Sequence, residues 1–221
     1  MRRLGIIAAV VGLGLVGLWA IFQPYTYRYR LTIEVMTPDG LRSGSSVLEV
    51  RSSETTVGLI EMRGVRNALR GEAVFVDLGQ GRNLIAVLGG GADASNETTM
   101  FRMPVIAFEL EKLSWEEQQA AFMGRLTGKR AHVPGHTLPA LVTVFDVNDP
   151  KTARVVDPFN LQGVFGIGFA LNGARIEITK DNVAKGLQNR LPFLVTSREW
   201  KRRQLSYPDK FTPHFHIFVR E

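Results

Sequence analysis

The chain has 221 residues, with 27 Lys plus Arg, 21 Asp plus Glu, four His and no Cys. That length suits one domain or two small ones, and the missing thiols exclude disulfides, thiolate nucleophiles and Cys-ligated zinc or iron–sulfur centres. A composition 45% hydrophobic and 22% charged excludes a disordered or polytopic chain, and the net charge of +6 is interspersed rather than striped, which points away from nucleic acid.

Met1-Arg2-Arg3 precedes nineteen uncharged residues, Leu4 to Phe22, of which fifteen are apolar and four are Gly5, Gly12, Gly14 and Gly17. As a helix this run spans roughly 28 Å, close to the hydrocarbon thickness of a bilayer, and a single segment in lipid must bond its own backbone. The pattern predicts an N-terminal transmembrane helix serving as a membrane anchor over residues 1–24. Trp19 with Tyr25, Tyr27 and Tyr29 fits an interfacial aromatic belt. A cleaved signal peptide is the rival reading, but its apolar core is shorter, and Leu18-Trp19-Ala20 lacks the small-x-small cleavage pattern. Arg2 and Arg3 favour the amino terminus in the cytoplasm and the bulk of the chain outside it, against a small counter-bias from Arg28 and Arg30. Gly5, Ala8, Ala9 and Gly12 form a small-residue ridge of the kind that lets two membrane helices approach, without a strict GxxxG.

From Tyr27 to Met36 the pattern turns to period two, a half-buried strand that ends in turn chemistry at Thr37-Pro38-Asp39-Gly40. Ser46 to Arg51, Val57 to Met62 and Ala73 to Leu78 read as further strands, and Gly79-Gln80-Gly81 turns the chain into Leu84 to Leu88. Val105 to Leu110 is a weaker strand. Ser114 with Glu117 forms a capping box, opening a helix whose Trp115, Phe122 and Leu126 share a face and which Gly128 stops. A second short helix is expected at Asp157-Pro158, and a third from Thr179 to about Leu191, with Val183, Leu187 and Leu191 on one side and Pro192 at its end. Leu141 to Phe145, Ala174 to Ile178 and His214 to Val219 read as strands. Without β-α-β alternation, these elements predict an α+β fold: the anchor, then a mostly antiparallel β-rich domain with about three short helices. The expected division is an anchor over 1–24, a β-rich region over 25–128 and an α+β region over 129–221 packed with it.

The candidate chemistry is thin. Gly89-Gly90-Gly91 has no P-loop lysine, and Gly124 to Arg130 has the wrong spacing at the wrong end of a helix, so no nucleotide cofactor is expected. Ser43, Ser45 and Ser46 beside Arg42 read either as a polar hairpin loop or as an anion-binding nest. The four histidines fall into two pairs. His132 and His136 bracket Pro134-Gly135, whereas His214 and His216 project from one side of an alternating segment. Two such pairs folded together would make a zinc or copper site, with Asp146 and Asp149 as substitute ligands. The bland reading of Asp146-Val147-Asn148-Asp149-Pro150 is an Asx turn. Arg198, Lys201, Arg202 and Arg203 around Trp200 form the densest basic run, either a solvated face or a contact with anionic lipid or an acidic partner.

Thr37 to Val47 with Glu49-Val50 forms one recognisable segment, and Leu138-Pro139, Leu141-Val142-Thr143, Asp146, Asp149-Pro150 and Val156-Asp157-Pro158 form another. Ile176 to Thr179 through Arg190-Leu191-Pro192 is a third. Over most of the chain beyond the anchor these resemble a group of uncharacterised proteobacterial proteins, often single-span, for which no activity is assigned. The resemblance implies a bacterial envelope setting and lends no catalytic residues. The expectation is a non-enzymatic interaction or structural module, anchored in the inner membrane, facing the periplasm and working through envelope protein contacts. The alternatives are an envelope hydrolase or metal-binding protein using the His pairs, and a carrier with an apolar cavity between sheet and helix.

Overall fold

The computed structural model describes residues 24–57, 62–91, 94–194 and 215–220. They divide into two compact units. Of the described residues, the smaller unit holds 24–26, 51–57 and 62–68, and the larger holds 27–50, 69–91, 94–194 and 215–220.

The first strand is the one its alternation predicts. In β1 (Tyr25–Thr37), Tyr27, Tyr29, Leu31, Ile33 and Val35 are buried while their neighbours face outward. The Pro38-Asp39 turn returns the chain into β2 (Gly40–Val57), far longer than the expected Ser46 to Arg51, and β3 (Met62–Glu72) follows. Of the strand expected at Val57 to Met62, residues 58–61 lie outside the described residues. In the larger unit these strands join β6 (Arg130–His132), β9 (Ala170–Thr179) and β10 (Val219–Arg220) in a sheet of order β10-β3-β2-β1-β9-β6. β9 runs antiparallel to β1, Arg28 opposite Thr179 and Ile33 opposite Ala174. In the smaller unit the Tyr25 ring is buried, which pushes its phenol up, and a hydrogen bond with Ser52 opposes the rise.

β4 (Val74–Gly79), β5 (Arg82–Ala86), β7 (Leu141–Val144) and β8 (Ala153–Val156) form a second antiparallel sheet in that order. All four β7 residues are buried, so the strand is covered on both faces. The β5–β7 ladder, which pairs Ile85 with Val142, is continued by a side chain. The buried Asn83 amide donates to the Val144 carbonyl (2.8 Å) and accepts from the Val144 N–H (3.0 Å), while the Thr143 hydroxyl donates to the Asn83 carbonyl (2.8 Å). The asparagine thereby supplies the two backbone bonds that its strand does not.

α1 (Thr98–Ala107) replaces the strand expected at Val105 to Leu110, a short apolar run whose periodicity fits either element. Met100 and Met103, three apart, are buried and fix the helix by packing. Pro104 inside α1 has no N–H to offer the carbonyl of Met100 four residues back. The buried Tyr29 hydroxyl supplies it instead, donating to that carbonyl at 3.0 Å. This site also pushes the Tyr29 phenol far above its usual range, because burial penalises the phenolate. α2 (Trp115–Ala120) starts with the expected capping box: the Ser114 hydroxyl accepts from the Glu117 N–H and the Glu117 carboxylate accepts from the Ser114 N–H. A π-helical turn, Ala121–Arg125, continues it and stacks Phe122 on Tyr27 with centroids 4.1 Å apart.

Several expectations are corrected. The fold is a β-rich antiparallel domain, and among the described residues no helix is long and apolar enough to cross a membrane. The apolar run of Leu4 to Phe22 and its glycine ridge, on which the transmembrane helix was expected, lie outside the described residues. The described α-helices number four rather than about three, and α1, at ten residues, reaches about half the length that spanning requires. Thr179 to Leu191 is not a helix. β9 ends at Thr179, Ala184 N–H is drawn to the Val47 carbonyl (3.1 Å), Gly186 turns left-handed, and only a 3₁₀ turn, Leu187–Asn189, remains. Tertiary hydrogen bonds outbid the i, i+4 spacing. At Asp157 the side chain caps a turn, accepting from the Phe159 N–H, and delays the short α3 to Gln162–Phe165. The final strand shrinks to β10, preceded by α4 (Phe215–Phe218). Carbonyls of Ile217 and Phe218 there accept from Leu88 N–H (2.6 Å) and Ala73 N–H (2.8 Å).

Candidate functional site

The residues singled out by sequence are dispersed. His132 is exposed on the edge strand β6, opposite Arg175, and His136 is exposed in the 3₁₀ turn Gly135–Thr137. His216 is exposed in α4, while His214 lies outside the described residues, as does the basic run 198–203. Among the described residues no three His, Asp or Glu side chains are grouped to hold a metal ion. Asp146 and Asp149 spend their oxygens locally: each accepts from the N–H two residues on, Asn148 and Lys151, at 2.9 Å. Ser43 and Ser45 are exposed on β2, Ser46 is buried and donates to the Glu72 carbonyl (2.6 Å), and Arg42 lies beside Gly79 rather than closing a nest with the serines.

Two other features of the larger unit stand out. The outer face of β1, β9 and β6 carries a recess lined by Arg30, Arg130 and Arg175, and each guanidinium is already paired: with Asp181, Glu177 and Glu34 respectively. Asp181 is fully exposed, and the Thr179 hydroxyl first, then Arg30, hold its carboxyl below the ordinary range.

The second feature is apolar. Between β8 and β9 the segment around α3 satisfies its polar groups internally, Asp157 accepting from Phe159 N–H (2.9 Å) and Asn160 from Gly163 N–H (3.2 Å). Leu161 and Phe169 anchor it inside, Phe169 against Phe165 (5.6 Å) and under the Arg82 guanidinium (4.7 Å). What it turns outward is hydrocarbon: Ile167 is 92% exposed, Phe159 79%, and Val164 is also exposed. The β1–β2 turn meets this segment at Gly168, where φ is +91° and an added Cβ would stand 3.0 Å from the Pro38 ring. That contact brings the β1–β2 hairpin end, whose Met36 (43% exposed) and Leu41 (53%) flank the turn, against this segment. Burying one such side chain is worth roughly 1.5–3 kcal/mol, so leaving several in water has a standing cost. Sequence reasoning missed this end because the β1–β2 turn and the α3 segment are about 130 residues apart, and only the register of β1 on β9 joins them. The signal available was Phe159, Val164 and Ile167 in a stretch dense in turn residues.

Comparison with protein-family models, with curated proteins and with solved structures gives no match.

Proposed function

We propose that this chain is a non-enzymatic interaction module of the bacterial envelope, sited at the inner membrane with its folded domain on the periplasmic side. The location is supported by the sequence, through Arg2-Arg3 ahead of an uncharged run and the resemblance to uncharacterised, often single-span proteobacterial proteins, which implies an envelope setting. The single observation that carries the interaction is the hydrocarbon that the α3 segment turns outward at Phe159, Val164 and Ile167 while its turns satisfy their polar groups internally. Its occupant is a protein surface with a matching apolar patch, since burying these side chains recovers what their exposure costs.

A photo-crosslinking residue at Ile167 or Phe159 of the full-length chain, in cells, is expected to capture one protein species. The same probe at exposed Glu111 is expected not to, and Phe159→Asp should weaken capture from position 167. Equal labelling from all three positions, or none from the apolar end, overturns the reading.

A further inference from the structure

The serines of β2 line a different recess of the larger unit, a groove of about 260 Å³ facing the 184–190 loop and the start of β4. Backbone bonds fix its walls. Ala184 N–H donates to the Val47 carbonyl, Leu187 N–H to the Glu72 carboxylate (2.7 Å) and Ser46 Oγ to the Glu72 carbonyl. At Gly44 an added Cβ would stand 2.1 Å from the Phe75 carbonyl oxygen, so only glycine lets β2 and β4 close at this point. The left-handed Gly186 turns the loop between Lys185 and Arg190, and both line the groove.

The polar groups here fall into two sets. Both acids already accept backbone amides, Glu72 from Leu187 and Asp77 from Gly79 (2.9 Å). Asp77 holds Arg190 only at 3.9 Å, between two side chains that are mostly in water. On the donor side, the Lys185 ammonium and the Ser43 and Ser45 hydroxyls have no protein partner among the described residues. The Arg190 guanidinium lies 5.7 Å from the Phe75 ring centroid, which puts a cationic fork and an aromatic face in the same recess.

Two cations and two free hydroxyls call for an oxyanion. The lining carries as many carboxylates as cations, which disfavours a dianion such as phosphate and suits a single negative charge. The volume falls just below that of whole-ligand pockets, roughly 300–1,000 Å³, and fits the head of a ligand. We propose that this groove is a carboxylate-binding site: the carboxylate sits among Lys185, Arg190, Ser43 and Ser45, and an adjoining flat or apolar group packs on Phe75. The carboxylate can belong to a free organic acid or to the C-terminus of a peptide.

The test is calorimetric titration of the full-length chain with N-benzoylglycine, with its primary amide, with inorganic phosphate and with a short peptide ending in glycine. N-benzoylglycine is expected to saturate one site and the amide not to bind. Lys185→Gln and Arg190→Gln, both exposed and checked for an unchanged unfolding midpoint, should each weaken binding about tenfold, equivalent to about 1.4 kcal/mol. Arg130→Gln, in the fully paired recess, should leave binding unchanged. Tighter binding of the peptide than of N-benzoylglycine identifies a chain terminus as the source, and the reverse order a free acid. The site is refuted if the amide or phosphate binds as well as the acid, if the groove variants bind like the parent chain, or if no carboxylate saturates. None of these results bears on crosslinking from Ile167, so this groove and the proposed protein contact stand or fall separately.

Discussion

The interior and the outer face of the larger unit use polar groups in opposite ways. Inside, Asn83 and Tyr29 make few bonds, and each completes a backbone group that the strand or helix leaves unpaired. Outside, Arg30, Arg130 and Arg175 make ion pairs along β1, β9 and β6, and each arginine side chain keeps at least a third of its surface in water. A buried group left without its partner costs its full desolvation, whereas an exposed pair returns to water at little cost. The number of polar contacts is therefore a poor guide to what holds this fold. The backbone atoms they serve are a better one.

The sharpest way to break that contrast is Asn83→Leu, which keeps the branched outline of the side chain but strips both the N–H and the carbonyl of Val144 of their partner. A loss of about 2–4 kcal/mol is expected in denaturant unfolding, with an unchanged m-value. A loss no larger than that of a surface variant would refute the interior half of the comparison. Tyr29→Phe should cost less, about 1–2 kcal/mol, because only the Met100 carbonyl is orphaned. The cause can be isolated with Pro104→Ala, which returns an N–H to the helix. In that background Tyr29→Phe should cost clearly less, and strict additivity in the double-mutant cycle would show that the hydroxyl does not stand in for the proline.

The smallest effect is expected outside. Asp181 has its carboxyl held below the ordinary value in the folded protein. Its contribution is thus present above the unfolded-state value and disappears as pH falls through the lower folded one. By NMR titration Arg30→Gln should move the Asp181 carboxyl back up towards the ordinary range, while the unfolding midpoint at neutral pH hardly changes.

What the sequence discloses follows the same division. The period-two pattern of Tyr27 to Met36, the turn at Pro38 and the Ser114–Glu117 box are local signals, and the structure has each of them. The helix at Thr98–Ala107 and the irregular path of 180–186 depend on partners far along the chain: Tyr29 for the first, Val47 and Glu72 for the second. No window of 15 residues contains those partners, so propensity misassigned both segments. The groove was half legible. Ser43, Ser45 and Ser46 draw the eye as a cluster, but the cations facing them are Lys185 and Arg190 rather than the adjacent Arg42. The histidine pairs were legible as pairs, and His132, His136 and His216 end up exposed on separate elements, with His214 outside the described residues.

The pairing of β1 with β9 sets Arg28 opposite Thr179, so one of the earliest strands to be synthesised waits for some 150 residues before its partner exists. Closing so long a loop is slow, and all-β arrangements rich in such distant contacts fold in milliseconds to seconds. During that wait the row Leu31, Ile33 and Val35 has only the neighbouring hairpin strand beside it, and it is apolar enough to attract another nascent chain. Production of this protein is therefore expected to depend on the lifetime of an open strand edge, and a holdase that shields β1 until β9 has been made should raise its yield more than a gain in native stability does.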